Sequence, residues 1–154
     1  DLGFSGSALG EENISSYIAS LDNMSIFVLD YDHNAPTPEH LEKTHEPFYR
    51  KVRNAHPDLP LVFMTRPNFR PLFKNNPLNH EIVQRTYENA VKAGDKNVYF
   101  IDGLGFSDGI KNILGKDDPG AWLDCTSDGV HPNDIGMYLM AKTVAPVLKQ
   151  ILEK

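Results

Sequence analysis

Three short apolar runs constrain the fold more than any other feature: "MSIFVLDYD" (24–32), "LPLVFMTR" (59–66) and "KNVYFIDG" (96–103). Each is almost continuously hydrophobic, rich in Val, Ile and Phe, and breaks off in polar residues. A strand with one wet face alternates apolar and polar side chains; a run without alternation is covered on both faces, as in a parallel sheet. Helical patterns separate the runs. "EENISSYIASL" (11–21) puts Ile14, Tyr17, Ile18 and Leu21 on one face. The segment 37–57 opens with Thr37 as N-cap and Pro38 at the first helical position, and Pro47 is expected to kink or restart it. "NHEIVQRTYENAVKAG" (79–94) gathers Ile82, Val83, Tyr87, Ala90 and Val91, then stops at Gly94. A last helix over 132–152 carries Ile135, Tyr138, Leu139, Val144, Leu148 and Ile151, with Pro132 as its first residue. The alternation of strands and helices predicts an α/β domain with right-handed crossovers. With no internal repeat and no linker, residues 1–154 read as a single domain.

Composition removes several classes of function. The net charge is −6, and the 15 basic residues are scattered, whereas phosphate binding needs them clustered. Nucleic acid is therefore not an expected partner. The densest basic stretch, "YRKVR" (49–53), reads as a solvated helix face. No apolar run approaches the ~20 residues of a membrane span. A single cysteine, Cys125, cannot form an internal disulfide and reads as an inert, partly buried thiol rather than a nucleophile. Without a signal peptide, a cytoplasmic location is the expectation.

In open parallel sheets, sites form where loops leave the carboxyl ends of strands. Those loops are Asp30 to Asn34, Arg66 to Asn68 and Asp102 to Asp108. The most chemically pointed stretch lies elsewhere, in "TSDGVHPNDIG" (126–136). Asp128 and His131 stand three apart around a glycine turn. From there the carboxylate can hold one imidazole nitrogen and leave the other free as a base. The competing reading is a helix-capping turn with a satisfied imidazole. His33 beside Asn34, and Arg66 at a strand end, are candidate pocket residues. Asp30, Asp32, His33, Asp128 and His131 together would suit a divalent metal by chemistry, although no ligand spacing supports one. His40, His45, His56 and His80 read as surface residues. Two serines compete for the part of nucleophile. Ser107 in "GFSDG" matches the literal G-x-S-x-G pattern, but two residues intervene after the strand where a sharp elbow is required. Ser5 reads as a turn hydroxyl.

Taken in order, the motifs resemble the SGNH, or GDSL-like, hydrolases. "DGVHPN" matches the family's last block, "LGFSGSALG" its second, and "DYDHNAP" a variant of its third. The combination resembles a bacterial subgroup. The resemblance implies a flavodoxin-like three-layer α/β/α sandwich with a mostly parallel sheet. It also implies Asp128 and His131 as catalytic residues, Gly6 and Asn34 as oxyanion-hole donors, and no metal or other cofactor. The third block departs from the usual pattern, with Asp32 and Ala35 where the family favours Gly and Asp.

The larger departure concerns the nucleophile. The family's serine sits in a first block at the end of the first strand, upstream of the second block, and no "GDS" or "GSS" occurs in this sequence. The first strand and the serine are thus expected to be missing from the chain. The expected function is an esterase acting on small acyl esters, carbohydrate esters included, with the serine outside these residues. The expected partners are a small-molecule ester and either a further copy of the chain or a missing N-terminal segment, with no membrane. Two rivals stay open: a ligand-binding remnant of the fold without turnover, and a metal-dependent ester hydrolase.

Overall fold

The computed structural model describes residues 6–67, 76–106 and 124–154. They fall into two compact units, one within Asp1–Thr65 and Asn75–Phe100, the other within Arg66–Lys74 and Ile101–Lys154.

The first unit carries the sheet. β1 (Phe27–Leu29), β2 (Leu61–Met64) and β3 (Val98–Ile101) lie side by side in that order. β1 and β2 run parallel with Phe27, Val28 and Leu29 opposite Leu61, Val62 and Phe63. All four residues of β2 are buried, which is why its run shows no alternation. Each strand is shorter than its apolar run because the flanking residues turn away as loops. Three parallel strands among helices make this the expected α/β fold.

Three helices pack here: α1 (Glu12–Ala19), α2 (Pro38–Ala55) and α3 (Asn76–Lys92). α2 lies against both α1 and α3, and α3 against β2. Thr37 caps α2 by accepting the amide of His40 at 3.1 Å, with Pro38 next to it as expected. Of the two outcomes expected at Pro47, a restart does not occur. α2 runs unbroken through it, with Pro47 on the exposed side, where a carbonyl deprived of its amide can turn to water.

The core centres on Phe63, 1% exposed, whose ring meets His45, Tyr49 and Tyr87 at centroid distances of 5.6, 5.2 and 6.5 Å. Burial of a side chain this size is worth roughly 1.5–3 kcal/mol. Two sequence expectations are corrected in this unit. His45 is not a surface residue but 1% exposed, with its ring on Tyr31 and its Nδ1 3.0 Å from Thr86 Oγ1. "YRKVR" is not a solvated face either. Tyr49 and Val52 are buried, and Arg53 reaches Asp95 at 2.7 Å and the carbonyls of His56, Leu59 and Asn97. Arg53 thereby ties the end of α2 to the starts of β2 and β3. Tyr17 and Val91, expected on apolar faces, are about half exposed.

The second unit holds a short 3-10 turn (Gly103–Gly105) and α4 (Asp134–Leu152). Leu139 and Ile151 of α4 are buried, but Ile135 and Tyr138 at its start are 42% and 53% exposed. The apolar stripe of α4 is thus covered only in part. α4 also begins two residues later than expected: Pro132 lies in an isolated bridge with Thr126, and Asn133 is the N-cap. Among the described residues no helix is long and apolar enough to cross a membrane.

Candidate active site

The second unit contains a closed turn from Cys125 to Asn133. Thr126 pairs with Pro132, the Ser127 amide donates to the His131 carbonyl at 2.9 Å, and the Asn133 amide donates to the Cys125 carbonyl at 2.9 Å. Gly129 sits at its tip with φ +86°, a conformation that costs a side-chain-bearing residue. Its amide is held by Thr126 Oγ1 at 2.9 Å.

Asp128 organises this turn. One carboxylate oxygen accepts the amides of Val130 at 2.9 Å and His131 at 2.8 Å; the other meets His131 Nδ1 at 2.6 Å. The His131 amide, the imidazole and the Val130 amide, in that order, hold the Asp128 carboxyl well below the usual carboxylate range. The carboxylate can only accept, so a proton sits on His131 Nδ1, and in the neutral ring Nε2 keeps its lone pair. The His131 side chain is 77% exposed, so that lone pair is open to a reactant.

Asn133 locks the turn to α4. Its Oδ1 accepts the amides of Ile135 and Gly136 at 3.0 and 3.1 Å, and its Nδ2 donates to the Asp124 carbonyl at 2.8 Å. Gly136 is needed for close approach, since a Cβ there would lie 2.2 Å from the Cys125 carbonyl oxygen. The sequence reading missed both residues, although an Asn ahead of an apolar-periodic stretch is an N-cap signal. Cys125 itself is fully buried, and burial first and Asp124 second push its thiol pKa up, the reverse of an activated nucleophile.

The first unit brings Gly6 and Asn34 together. A Cβ on Gly6 would lie 3.9 Å from Asn34 Nδ2, so the Gly6 backbone and the Asn34 carboxamide are neighbours. Asn34 follows β1 in a turn closed by its own amide and that of Ala35 on the Tyr31 carbonyl, at 3.0 and 3.3 Å. Tyr31 is buried, and its hydroxyl is 2.9 Å from Thr44 Oγ1. Thr44 donates to the His40 carbonyl, so Tyr31 is the donor to Thr44. His40 in turn gives its Nε2 proton to the Leu9 carbonyl at 2.7 Å, which fixes the segment after Gly6. One turn of α2 thus anchors both candidate oxyanion donors. Sequence periodicity marks His40 and Thr44 only as helix residues and gives no hint of this work.

His33 is exposed in the same turn, and Arg66 is half-buried just after β2, in the second unit. Asp32 is buried and Asp30 exposed. Among the described residues no three His, Cys, Asp or Glu side chains are grouped to hold a metal ion. Ser5 and Ser107 lie outside the described residues.

Comparison with known proteins bears on the whole arrangement. A protein from Bacteroides ovatus, assigned as a GDSL-like lipase, superposes with a TM-score of 0.77 at 28% identity, over 96% of this chain and 42% of that one. The salicylyl-acyltransferase SsfX3 of a tetracycline biosynthetic pathway shares the fold, with a TM-score of 0.64 at 17% identity over 89% of this chain and 40% of that one. The chain therefore spans about two-fifths of the length of either solved structure. No curated protein matches it. The sequence profile of the GDSL-like lipase/acylhydrolase family matches residues 1–149, and the chain belongs to that family.

Proposed function

We propose that this chain supplies the base and the oxyanion donors of a serine esterase acting on small acyl esters, acetylated carbohydrates among them, with the nucleophilic serine outside residues 1–154. The single observation that carries this reading is the 2.6 Å contact between His131 Nδ1 and Asp128, which leaves Nε2 as a base. As the serine oxygen bonds to the ester carbonyl carbon, its proton passes to Nε2 and the carbonyl electrons become an oxyanion. The Gly6 amide and the Asn34 carboxamide are neutral donors suited to that charge; loss of one such donor typically costs ~10² to 10³ in rate. The tetrahedral carbon then expels the alkoxide, which takes the proton from Nε2 and leaves as the alcohol. Water repeats the sequence on the acyl-serine and releases the acid. Asp128 holds the ring and offsets its transient positive charge.

One backbone feature supports an added strand for the serine. Among the described residues β1 is an edge of the sheet: the Phe27 amide bonds to the Pro60 carbonyl beside β2, so by strand alternation the Val28 amide and carbonyl face away from β2. That edge would take either an upstream strand of the same protein or a second copy of this chain. A cytoplasmic setting belongs to the same reading, since one buried thiol needs no oxidising compartment.

The test is p-nitrophenyl acetate hydrolysis by residues 1–154 and by the chain extended upstream through a G-D-S-type block, each with and without His131→Ala. The proposal expects turnover only in the extended chain, reduced on the order of 10³-fold or more by His131→Ala. Turnover indifferent to His131→Ala, or abolished by a chelator, would overturn it.

A further inference from the structure

The turn that presents Asn34 is also held from α3. Asn79, 6% exposed, donates from Nδ2 to the Asp32 backbone carbonyl at 2.8 Å, two residues before Asn34. The orientation of this carboxamide is fixed chemically, because exchanging its oxygen and nitrogen would set two acceptors against each other. Its Oδ1 is buried with no hydrogen-bond partner among the described residues. An interior site filled only for packing would favour an apolar side chain, since a buried acceptor left unpaired is destabilising. Asn79 sits where its one satisfied bond reaches the backbone of the Asn34 turn.

We propose that Asn79 is a positioning residue for the oxyanion-hole turn: its bond to Asp32 fixes the backbone that aims the Asn34 carboxamide. The proposal rests on the reading of Asn34 as an oxyanion donor. Tyr31 closes the turn through the amides of Asn34 and Ala35, and α2 holds Tyr31 through Thr44. Asn79 ties the same turn to α3. Without it, the segment from Asp32 to Asn34 would lose a described tether to α3 and swing about Tyr31.

Amide hydrogen exchange on the chain itself tests this directly. The variants are Asn79→Leu, which keeps an interior side chain without the donor, and Ile82→Val, a buried truncation on the same helix that leaves the turn untouched. In Asn79→Leu the Asn34 and Ala35 amides should exchange about tenfold faster than in Ile82→Val, the effect of losing roughly one hydrogen bond. The core amides of Val62 and Val83 should track global stability in both. Exchange at Asn34 and Ala35 that rises only in step with those core amides would overturn the proposal. Should Asn79→Leu not fold, Asn79→Ala reads the same amides; if neither folds, Asn79 is a general core support and the proposal fails. The readout does not depend on ester turnover. Failure of the esterase reading would show separately, as unchanged turnover in Asn34→Ala of the extended chain.

Discussion

His45 should make this protein acid-sensitive well above the range where carboxylates protonate. Its imidazole is buried among Tyr31, Phe63 and Thr86 and is pushed down to about 3 by burial, with Glu46 opposing. The Thr86 hydroxyl proton goes to the Ile82 carbonyl, so Thr86 accepts from His45 Nδ1–H and the neutral ring is satisfied. The unfolded chain binds a proton at His45 near the ordinary pKa of about 6.5, while the folded protein refuses it down to about 3. Stability from this group is therefore complete above pH 6.5 and is lost as pH falls from there towards 3. At ~1.4 kcal/mol per pH unit the loss is about 2 kcal/mol at pH 5. The assay is urea denaturation at pH 7.5, 6, 5 and 4.5 for the wild type and His45→Phe, a ring that fits the aromatic cluster and does not titrate. The variant starts lower at pH 7.5, by about 1–3 kcal/mol for the lost bond and imperfect packing, but should decline less steeply. Equal slopes for the two proteins between pH 6.5 and 4.5 would refute the reasoning.

Other substitutions probe the remaining supports. Asn133→Ala removes the cap of α4 and the bond to Asp124, and should cost about 1–2 kcal/mol in denaturant unfolding. Gly136→Ala sets a methyl against the Cys125 carbonyl; a loss of about 1–3 kcal/mol is expected, and a neutral result would show that α4 can slide. Arg53→Met breaks the mostly buried pair with Asp95 and strips several carbonyls, so thermal unfolding should register a loss on the order of 3 kcal/mol. Phe63→Ala, at the centre of the core, should cost about 3–5 kcal/mol.

How much of this was legible in sequence depended on how local each feature is. Strand positions could be read because β2 is buried along its whole length, leaving an unbroken apolar run. The start of α2 could be read because Thr37 and Pro38 act on their own neighbours. The Asp128–His131 pair was legible for the same reason, since the turn that joins them spans four residues. Features set by distant partners were not. His45 looks like any helix histidine until Phe63 and Thr86, far along the chain, close over it. Arg53 looks like one of several basic residues until Asp95 arrives from the loop after α3. Pro47 leaves α2 continuous because it stands on the exposed side, where the displaced carbonyl can turn to water. Ile135 and Tyr138 belong to the apolar stripe of α4 yet are exposed, because periodicity tells which residues share a face and not whether that face is covered. The neighbourhood of Gly6 and Asn34 followed from the family resemblance; the anchor they share on α2 did not.

Ester cleavage as proposed requires His131 to offer Nε2 as a base while Asp128 holds the Nδ1 proton, and long-range nitrogen–proton NMR of the His131 ring tests that most directly. At a pH where the ring is neutral, the expected result is a protonated Nδ1 and a bare Nε2, with the preference weakened in Asp128→Asn. A neutral ring carrying its proton on Nε2, with or without Asp128, would contradict it.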